Sequence, residues 1–480
     1  MQGRYILVAC VIVVALCAGN GLSRPLFDDA GPEPVQPGVW LPSVSDGGAV
    51  LAGFGSSSNF ATRAITCYAG DLYVGTQNVD FSRIDRLFDV KRLSTLGLAS
   101  YRLLEAGGSV LPMLRLAPWL VPMHGMYSQG CEIWRYRDGA WSPMVSDAPG
   151  AAMAAGFGDR GSFAASILQP FNGDLYVGTS ASSLKGCQVW RFDGSTWQLV
   201  VDGGFSSRDN SGIWSSTVFQ GYLYLGTMNW KEGCQVYRTT DGVTWEKMRL
   251  PGGDGFGSRT TIYAWDMGVY RDALYLGTCN LDSRGGQLWR FSGTEWEKVV
   301  LPGGDGFGDP ANYGIRNLVV YRDELYVGVA TSFAQRREGA ELWKYNGWRW
   351  RQVIGEHGWR NDGFGDTSNK YIWSLIVVDD ALWAGTLNLE PSLLAGPLSS
   401  SGCEIWQYDG WRWENIVGRW HGEAPAGFGD CGNVGARSML EYPEDSGTLW
   451  VGTWQFDMED YERFAGCQIW QRVPPDGKPR

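Results

Sequence analysis

The chain has 480 residues, with 67 Gly, 25 Trp, 21 Tyr and 19 Phe, a formal net charge of −11 and a sequence pI of about 4.9. The acidic balance argues against a nucleic-acid surface and against a polybasic membrane anchor. Abundant glycine beside abundant aromatics points to tight turns between aromatic-rich strands, not to helices.

At the N-terminus Arg4 precedes "YILVACVIVVALCA", an apolar run short for a membrane span and shaped like a secretory signal. Residues 1–19 are therefore read as a signal peptide or N-terminal anchor and 20–37 as a polar, Pro-rich linker. "LVAC", ending at Cys10, has lipobox-like residues, but few apolar residues precede it. Either reading expects an exported protein, whether periplasmic, extracellular or attached to the cell surface. The next stretch, from Val39 to Val44 in "GVWLPSVSDGG", resembles the outer strand "STWQLVVDGG" found later.

From there the chain repeats. "LYVGT" or a close variant begins at Leu72, Leu175, Leu223, Leu274, Leu325, Leu382 and Leu449. Each is followed by a "GCEIW"-type motif, ending at Trp134, Trp190, Tyr237, Trp289, Trp343, Trp406 and Trp470, and most of these by a DG or NG turn and another Trp. An apolar strand precedes each "LYVGT", so a unit reads as four short antiparallel strands whose turns use glycine at positive φ. Seven such units predict an all-β chain, a seven-bladed β-propeller over residues 38–473. The last unit stops soon after Trp470 with no fourth strand, leaving 474–480 as a tail. Val39–Val44 is expected to complete it and close the ring. The GFG copies at Gly53, Gly156, Gly255, Gly306, Gly363 and Gly427, and the degenerate "GGF" ending at Phe205, are expected to join one blade to the next.

The loops are uneven. The largest insertion, 80–129, and others in "TSFAQRREG", "NLEPSLLAGPLSSSG" and "WQFDMEDYERFAG" all follow a "LYVGT" strand, which places them on one face. A scaffold face carrying elaborated loops is the expected recognition face. The 80–129 insertion could cap the channel, dock a partner or rest on a membrane; it and the N-terminus are the segments through which membrane association would arise.

Counting nine residues back from each "LYVGT" Leu gives Arg63, Ser166, Trp214, Trp265, Arg316 and Trp373, and aligning "GARSM" with "GIRNL" adds Arg437. Hairpin pairing is expected to set this position opposite the Thr of "LYVGT". Guanidinium forks beside indoles suit a carboxylate, a sulfate or a sugar-like ligand. The expected ligand is thus a glycan, a small anion or a protein. Asp305 with Asp309, and Asp362 with Asp366, are weak calcium candidates, because their spacing lacks the ligand series of a dedicated oxygen cage. No other cofactor is expected.

A catalytic set is not visible. His124, His357 and His421 lie in separate units without metal-ligand spacing, and no nucleophile elbow or phosphate loop occurs. The alternative to a binding module is a glycan-active hydrolase or lyase using Asp, Glu and Tyr at the channel mouth, a spatial arrangement that spacing does not reveal. Among eight cysteines beyond the leader, Cys131, Cys187, Cys234, Cys403 and Cys467 share one repeated site, filled by Gly286 and Ala340 elsewhere, which favours free packed thiols. A bridge from Cys431 to Cys403 or Cys467 is the one pairing to check.

The repeats resemble those of kelch, Asp-box and related bacterial propellers, and "TTDGVTWE", Thr239 to Glu246, is similar to an Asp-box with one residue fewer before Trp245. That resemblance implies hairpins on a propeller scaffold and specifies no chemistry. A sialidase would need an arginine triad, an acid and a tyrosine nucleophile; Arg63, Arg316 and Arg437 lie outside motifs that carry those roles.

Overall fold

The computed structural model describes residues 38–80, 128–181, 185–282, 284–332, 338–389, 400–420, 422–456 and 466–474. The expected leader and linker, nearly all of the 80–129 insertion, and the tail beyond residue 474 lie outside them.

Strands β1 to β28, numbered along the chain, belong to one sheet. In the first full unit β2 (Asn59–Tyr68) pairs antiparallel with β3 (Asp71–Asn78), β3 with β4 (Ile133–Arg137), and β4 with β5 (Ala140–Val145). The same meander recurs, and the 28 strands fit seven such units. Inner strands are covered on both faces by neighbouring units, so "LYV" is a continuous apolar run and not an alternation. Leu72 and Val74 are fully enclosed and Tyr73 nearly so.

Each inner strand also bridges the second strand of the unit before it, at Gln77–Ala164, Ser180–Gly212, Met228–Tyr263, Cys279–Gly314, Ala330–Tyr371 and Leu387–Gly435. A further bridge, Ala61–Trp454, joins β2 to β27 (Leu449–Gln455) and closes the ring. The final unit comprises β26 (Asn433–Glu441), β27 and β28 (Ile469–Val473), and β28 pairs antiparallel with β1 (Val39–Val44) from the other end of the chain.

At each GFG joint both Gly and Phe take left-handed angles: Gly53 has φ 59° and Phe54 φ 57°, and Phe157, Phe205, Phe256, Phe307, Phe364 and Phe428 behave alike. That backbone costs a phenylalanine about 1–2 kcal/mol. The ring offsets it by stacking on the aromatic that ends its own unit's "GCEIW" motif. Phe54 lies 4.6 Å from Trp134, Phe205 3.9 Å from Tyr237 and Phe428 4.7 Å from Trp470. The outer-strand Trp meets Phe54 edge-on, and in the last unit Trp40 of β1 meets Phe428 in the same manner.

Hydrogen bonds explain the fixed spacing. The Gly53 amide donates to the Cys467 carbonyl and the Cys467 amide to the Asn59 carbonyl, both at 2.7 Å, and the same reciprocal clasp joins each pair of neighbouring units. The Asn59 side chain donates to the Gly53 carbonyl (3.0 Å) and to Glu132 (2.9 Å), and accepts from Thr76 and Asn78. One asparagine thus ties GFG, "LYVGT" and "GCEIW" together. The repeated cysteine site lies inside this clasp; a Cβ on Gly286 would sit 2.8 Å from the Gly314 backbone. All eight cysteines of the described residues are free thiols, including exposed Cys431.

Candidate functional site

The strand register differs from the simple hairpin expectation at the ring position. Thr62 pairs with Thr76 and Ala64 with Gly75, so Arg63 is an extra residue without a partner. The same bulge frees Ser166, Trp214, Trp265, Arg316, Trp373 and Arg437. It is Thr62, not Arg63, that stands opposite the "LYVGT" threonine. A β-bulge bends the strand and re-aims the unpaired side chain, and here it does so in every unit.

The re-aimed side chains meet. The Arg63 guanidinium lies over the Trp214 ring at 4.4 Å, Arg437 over Trp373 at 4.5 Å and Arg316 over Trp265 at 5.6 Å. Arg63 reaches past the second unit, where the ring position is Ser166, a small residue turned to Ser180 at 2.7 Å. Glycines make room for the indoles: a Cβ on Gly314 would lie 2.0 Å from Trp265, and one on Gly435 2.3 Å from Trp373. Tyr263 stacks on Trp214 at 4.3 Å, and the hydroxyls of Tyr313 and Tyr371 are hydrogen-bonded to each other.

This is a buried cluster and not an open mouth. Arg63, Arg316 and Arg437 are 7%, 8% and 9% exposed, and Trp265 and Trp373 are buried as well. Arg63 Nη2, Arg316 Nε, Arg437 Nε, Trp214 Nε1 and Trp265 Nε1 have no hydrogen-bond partner. Burial, followed by the charge of Arg316, pulls Arg63 down to about 9. Burial and then the charges of Arg63 and Arg316 pull Arg437 well down. Arg316 is lowered by burial and partly restored by Asp266, Tyr371 and Tyr313. A guanidinium keeps its charge at neutral pH even so.

Asp266 is the carboxylate felt at Arg316, and burial pushes its own carboxyl up to about 6. Its oxygens are engaged by backbone amides, with Leu318 donating at 2.7 Å and Met267 also bonded. Asn317 and Glu441, other polar residues near the ring position, are spent on Ile372 and Gly447 backbone groups.

The calcium candidates lie at the ends of two 3-10 turns, Asp305 and Asp309 on one, Asp362 and Asp366 on the other, and Asp309 and Asp362 both act on Glu338. Asp305 accepts from Gln287 and Lys298 at 2.8 Å, Asp309 from the Ala311 amide at 2.8 Å, Asp362 from the Gly339 amide, and Asp366 from the Ser368 amide at 2.9 Å and Arg419 at 2.8 Å. Among the described residues no group of three or more His, Cys, Asp or Glu side chains is arranged to hold a metal ion.

The loop insertions leave the sheet from a common anchor. Asn78 accepts from the Gln129 amide at 2.8 Å, Asn388 from Ser401 at 3.0 Å, and Asn229, on a short loop, from Lys231 at 3.0 Å. A long excursion therefore replaces a short one without altering the strands that hold the arginines. Residue-by-residue reading missed Tyr263, Tyr313 and Tyr371, although "TIYAW" and "KYIWS" share a Tyr two places before the ring Trp.

No family model matches the chain, and no curated protein matches it. Among solved structures it is similar to the WD40 repeats of RRP9, at 9% identity and a TM-score of 0.44, over 86% of this chain and 94% of that one. It is similar to the β-propeller domain of the Trilobed protease from Pyrococcus furiosus, at 7% identity and a TM-score of 0.40, over 86% and 94%. It is also similar to a Trypanosoma rangeli sialidase in complex with sialic acid, at 10% identity and a TM-score of 0.38, over 65% of this chain. The chain spans 54% of that sialidase. Likenesses this distant carry no functional reading, and the β-propeller assignment rests on the strand pairing itself.

Proposed function

We propose that this chain is an exported seven-bladed β-propeller that recognises an anionic ligand, a glycan acid or a small anion, at the centre of the face where the long loops depart. The observation that carries the reading is the trio Arg63, Arg316 and Arg437: three buried cations within electrostatic range of one another, none with an acid or carbonyl in hydrogen-bond contact. Burying a charge without a partner is costly, and an anion shared among the three removes that cost while the indoles fix the planes of the forks. Binding is preferred to hydrolysis because Asp266, the nearby carboxylate, already accepts backbone amides.

Titration calorimetry with acidic and neutral saccharides and with small anions tests the reading. Saturable binding confined to anions, and lost in Arg63→Met and Arg437→Met variants that keep the wild-type circular dichroism, is expected. Equal binding of neutral sugars, or none by any anion, overturns it.

A further inference from the structure

The turn between the third and fourth strands repeats around the ring. After its glycine stand Ala140, Ser195, Val243 and Thr294 in the first four units, but Trp348 in the fifth and Trp411 in the sixth. The turn does not require an indole. Asp193 accepts from the Ser195 and Thr196 amides at 2.8 Å, and Asn346 and Asp409 accept in the same way from Trp348 and Arg349 and from Trp411 and Arg412. Yet Trp348 and Trp411 are 89% and 79% exposed. A single exposed apolar residue is ordinary; the same one at the same place in two neighbouring units, where serine serves the fold, points to a partner. Both turns are held firmly. The Arg271 guanidinium lies where a Cβ on Gly347 would sit, and Arg322 where one on Gly410 would. Each arginine is paired at 2.7 Å with an aspartate of the following unit, Asp323 or Asp380.

The seventh unit shows what lies alongside. Its outer strand is β1, and Trp40 meets Phe428 edge-on as Trp350 meets Phe307 and Trp413 meets Phe364. Trp348 and Trp411 precede these outer-strand tryptophans by two residues, and the residue in that place in the seventh unit is Gly38. Residues 1–37, with the apolar run "YILVACVIVVALCA", join the ring there. Antiparallel pairing sets all three positions on the face opposite the one from which the long loops depart. We infer that this rim rests on a lipid bilayer, with Trp348 and Trp411 in the headgroup layer beside the point where the N-terminal segment enters. Indoles favour that layer, where the ring is apolar and its N–H stays wet, and exposed Arg349 and Arg412 offer donor forks to lipid phosphates. The two ion pairs behind the turns leave the rim without a dominant sign, so a zwitterionic lipid suffices. The contact turns the loop face and its arginines away from the membrane, and it does not depend on the anion reading.

The full chain is added to phosphatidylcholine vesicles whose lipid carries bromine high on one acyl chain, which quenches indoles that touch the bilayer. Residues 1–37 contain no Trp, so the N-terminal segment adds nothing to the signal. The wild type is expected to be quenched relative to unbrominated vesicles. Trp348→Ser with Trp411→Ser is expected to lose at least half of that quenching while keeping the wild-type circular dichroism, since Ser195 holds the same turn. Quenching that falls by less, as it would if the 80–129 insertion made the contact, overturns the proposal, and so does an unquenched wild type. Cosedimentation with an insoluble neutral polysaccharide runs in parallel. Retention of the wild type but not of the double variant, with no quenching by lipid, assigns the two indoles to a glycan and overturns the lipid assignment.

Discussion

Arg437 is a cation whose neighbours are two more cations, an indole and a tyrosine. On the proposed anion reading such a residue is a stability cost in the free protein that a bound anion offsets. Arg437→Met is accordingly expected to raise thermal stability in anion-free buffer, by about 1–4 kcal/mol if the apolar side chain packs on Trp373, while abolishing anion binding. A fall in stability in anion-free buffer would show instead that the guanidinium is structurally required. The buried carboxylates behave differently. Glu341 accepts from the Trp343 indole at 2.8 Å and from Asn312 at 3.1 Å, and burial still pushes its carboxyl up to about 7. An unfolded Glu titrates near about 4.3, so between that pH and 7 the folded chain holds a proton that the unfolded chain has released. Stability therefore declines as pH rises through this window. Gln188, Gln235, Gln287 and Gln468 fill the same place in other units, and the first, third and last of these accept the same indole bond. Glu341→Gln should flatten the decline in melting temperature between pH 5 and pH 8 by about 1–2 °C, measured by scanning calorimetry at both values; parallel pH profiles for the two proteins would contradict it.

The blade joint is the element that makes the fold repeatable. Its phenylalanine sits in an unfavourable backbone well because the stack it makes there is worth more than the strain. Phe307 stacks on Trp343 at 4.6 Å and meets Trp350 edge-on at 5.3 Å. Phe307→Ala is expected to cost about 3–5 kcal/mol in urea unfolding, whereas Val300→Ala, at a site 87% exposed, should cost almost nothing. A loss under 1 kcal/mol at Phe307 would mean the joint is held by its backbone clasp alone. A second element is the pair of glycines that admit the indoles. Gly435→Ala would place a methyl 2.3 Å from Trp373 and displace the platform under Arg437, so it is expected to weaken anion binding without changing the charge of the cluster. Unchanged affinity in Gly435→Ala would remove the indole from the recognition argument.

Much of the whole molecule was legible because its information is local to each unit. The motifs at Leu72 through Leu449 set the number and order of strands, and "GVWLPSV" betrayed a displaced outer strand. What was not legible depends on contacts between units: that Arg63 passes the second unit to reach Trp214, that every ring residue sits on a bulge, and that no acid is in hydrogen-bond contact with the three arginines, Asp266 acting on Arg316 only at longer range. Periodicity within a unit cannot encode which side chains from separate units share the centre. The seam between chain ends illustrates the same limit. Its strand exchange is visible in the sequence, but its lock is not. Glu423 accepts from the Gly38 amide at 2.6 Å and the Trp40 indole at 3.1 Å, and from Arg472 at 2.5 and 2.7 Å. Both partners of the ion pair are under a tenth exposed. Removing one member of such a pair leaves the other buried and uncompensated, at about 3–5 kcal/mol. The ring has a separate closure, since Ala61–Trp454 and the Cys467–Asn59 clasp do not pass through β1. Glu423→Ala is therefore expected to raise amide hydrogen exchange in residues 39–44 while β26 and β27 keep theirs, and Glu423→Met with Arg472→Met should restore protection by replacing the pair with apolar packing. If β26 and β27 loosen together with β1, the seam is one cooperative unit and the N-terminal strand is its keystone; if residues 39–44 are unaffected, strand pairing with β28 alone holds the end in place and the lock is dispensable.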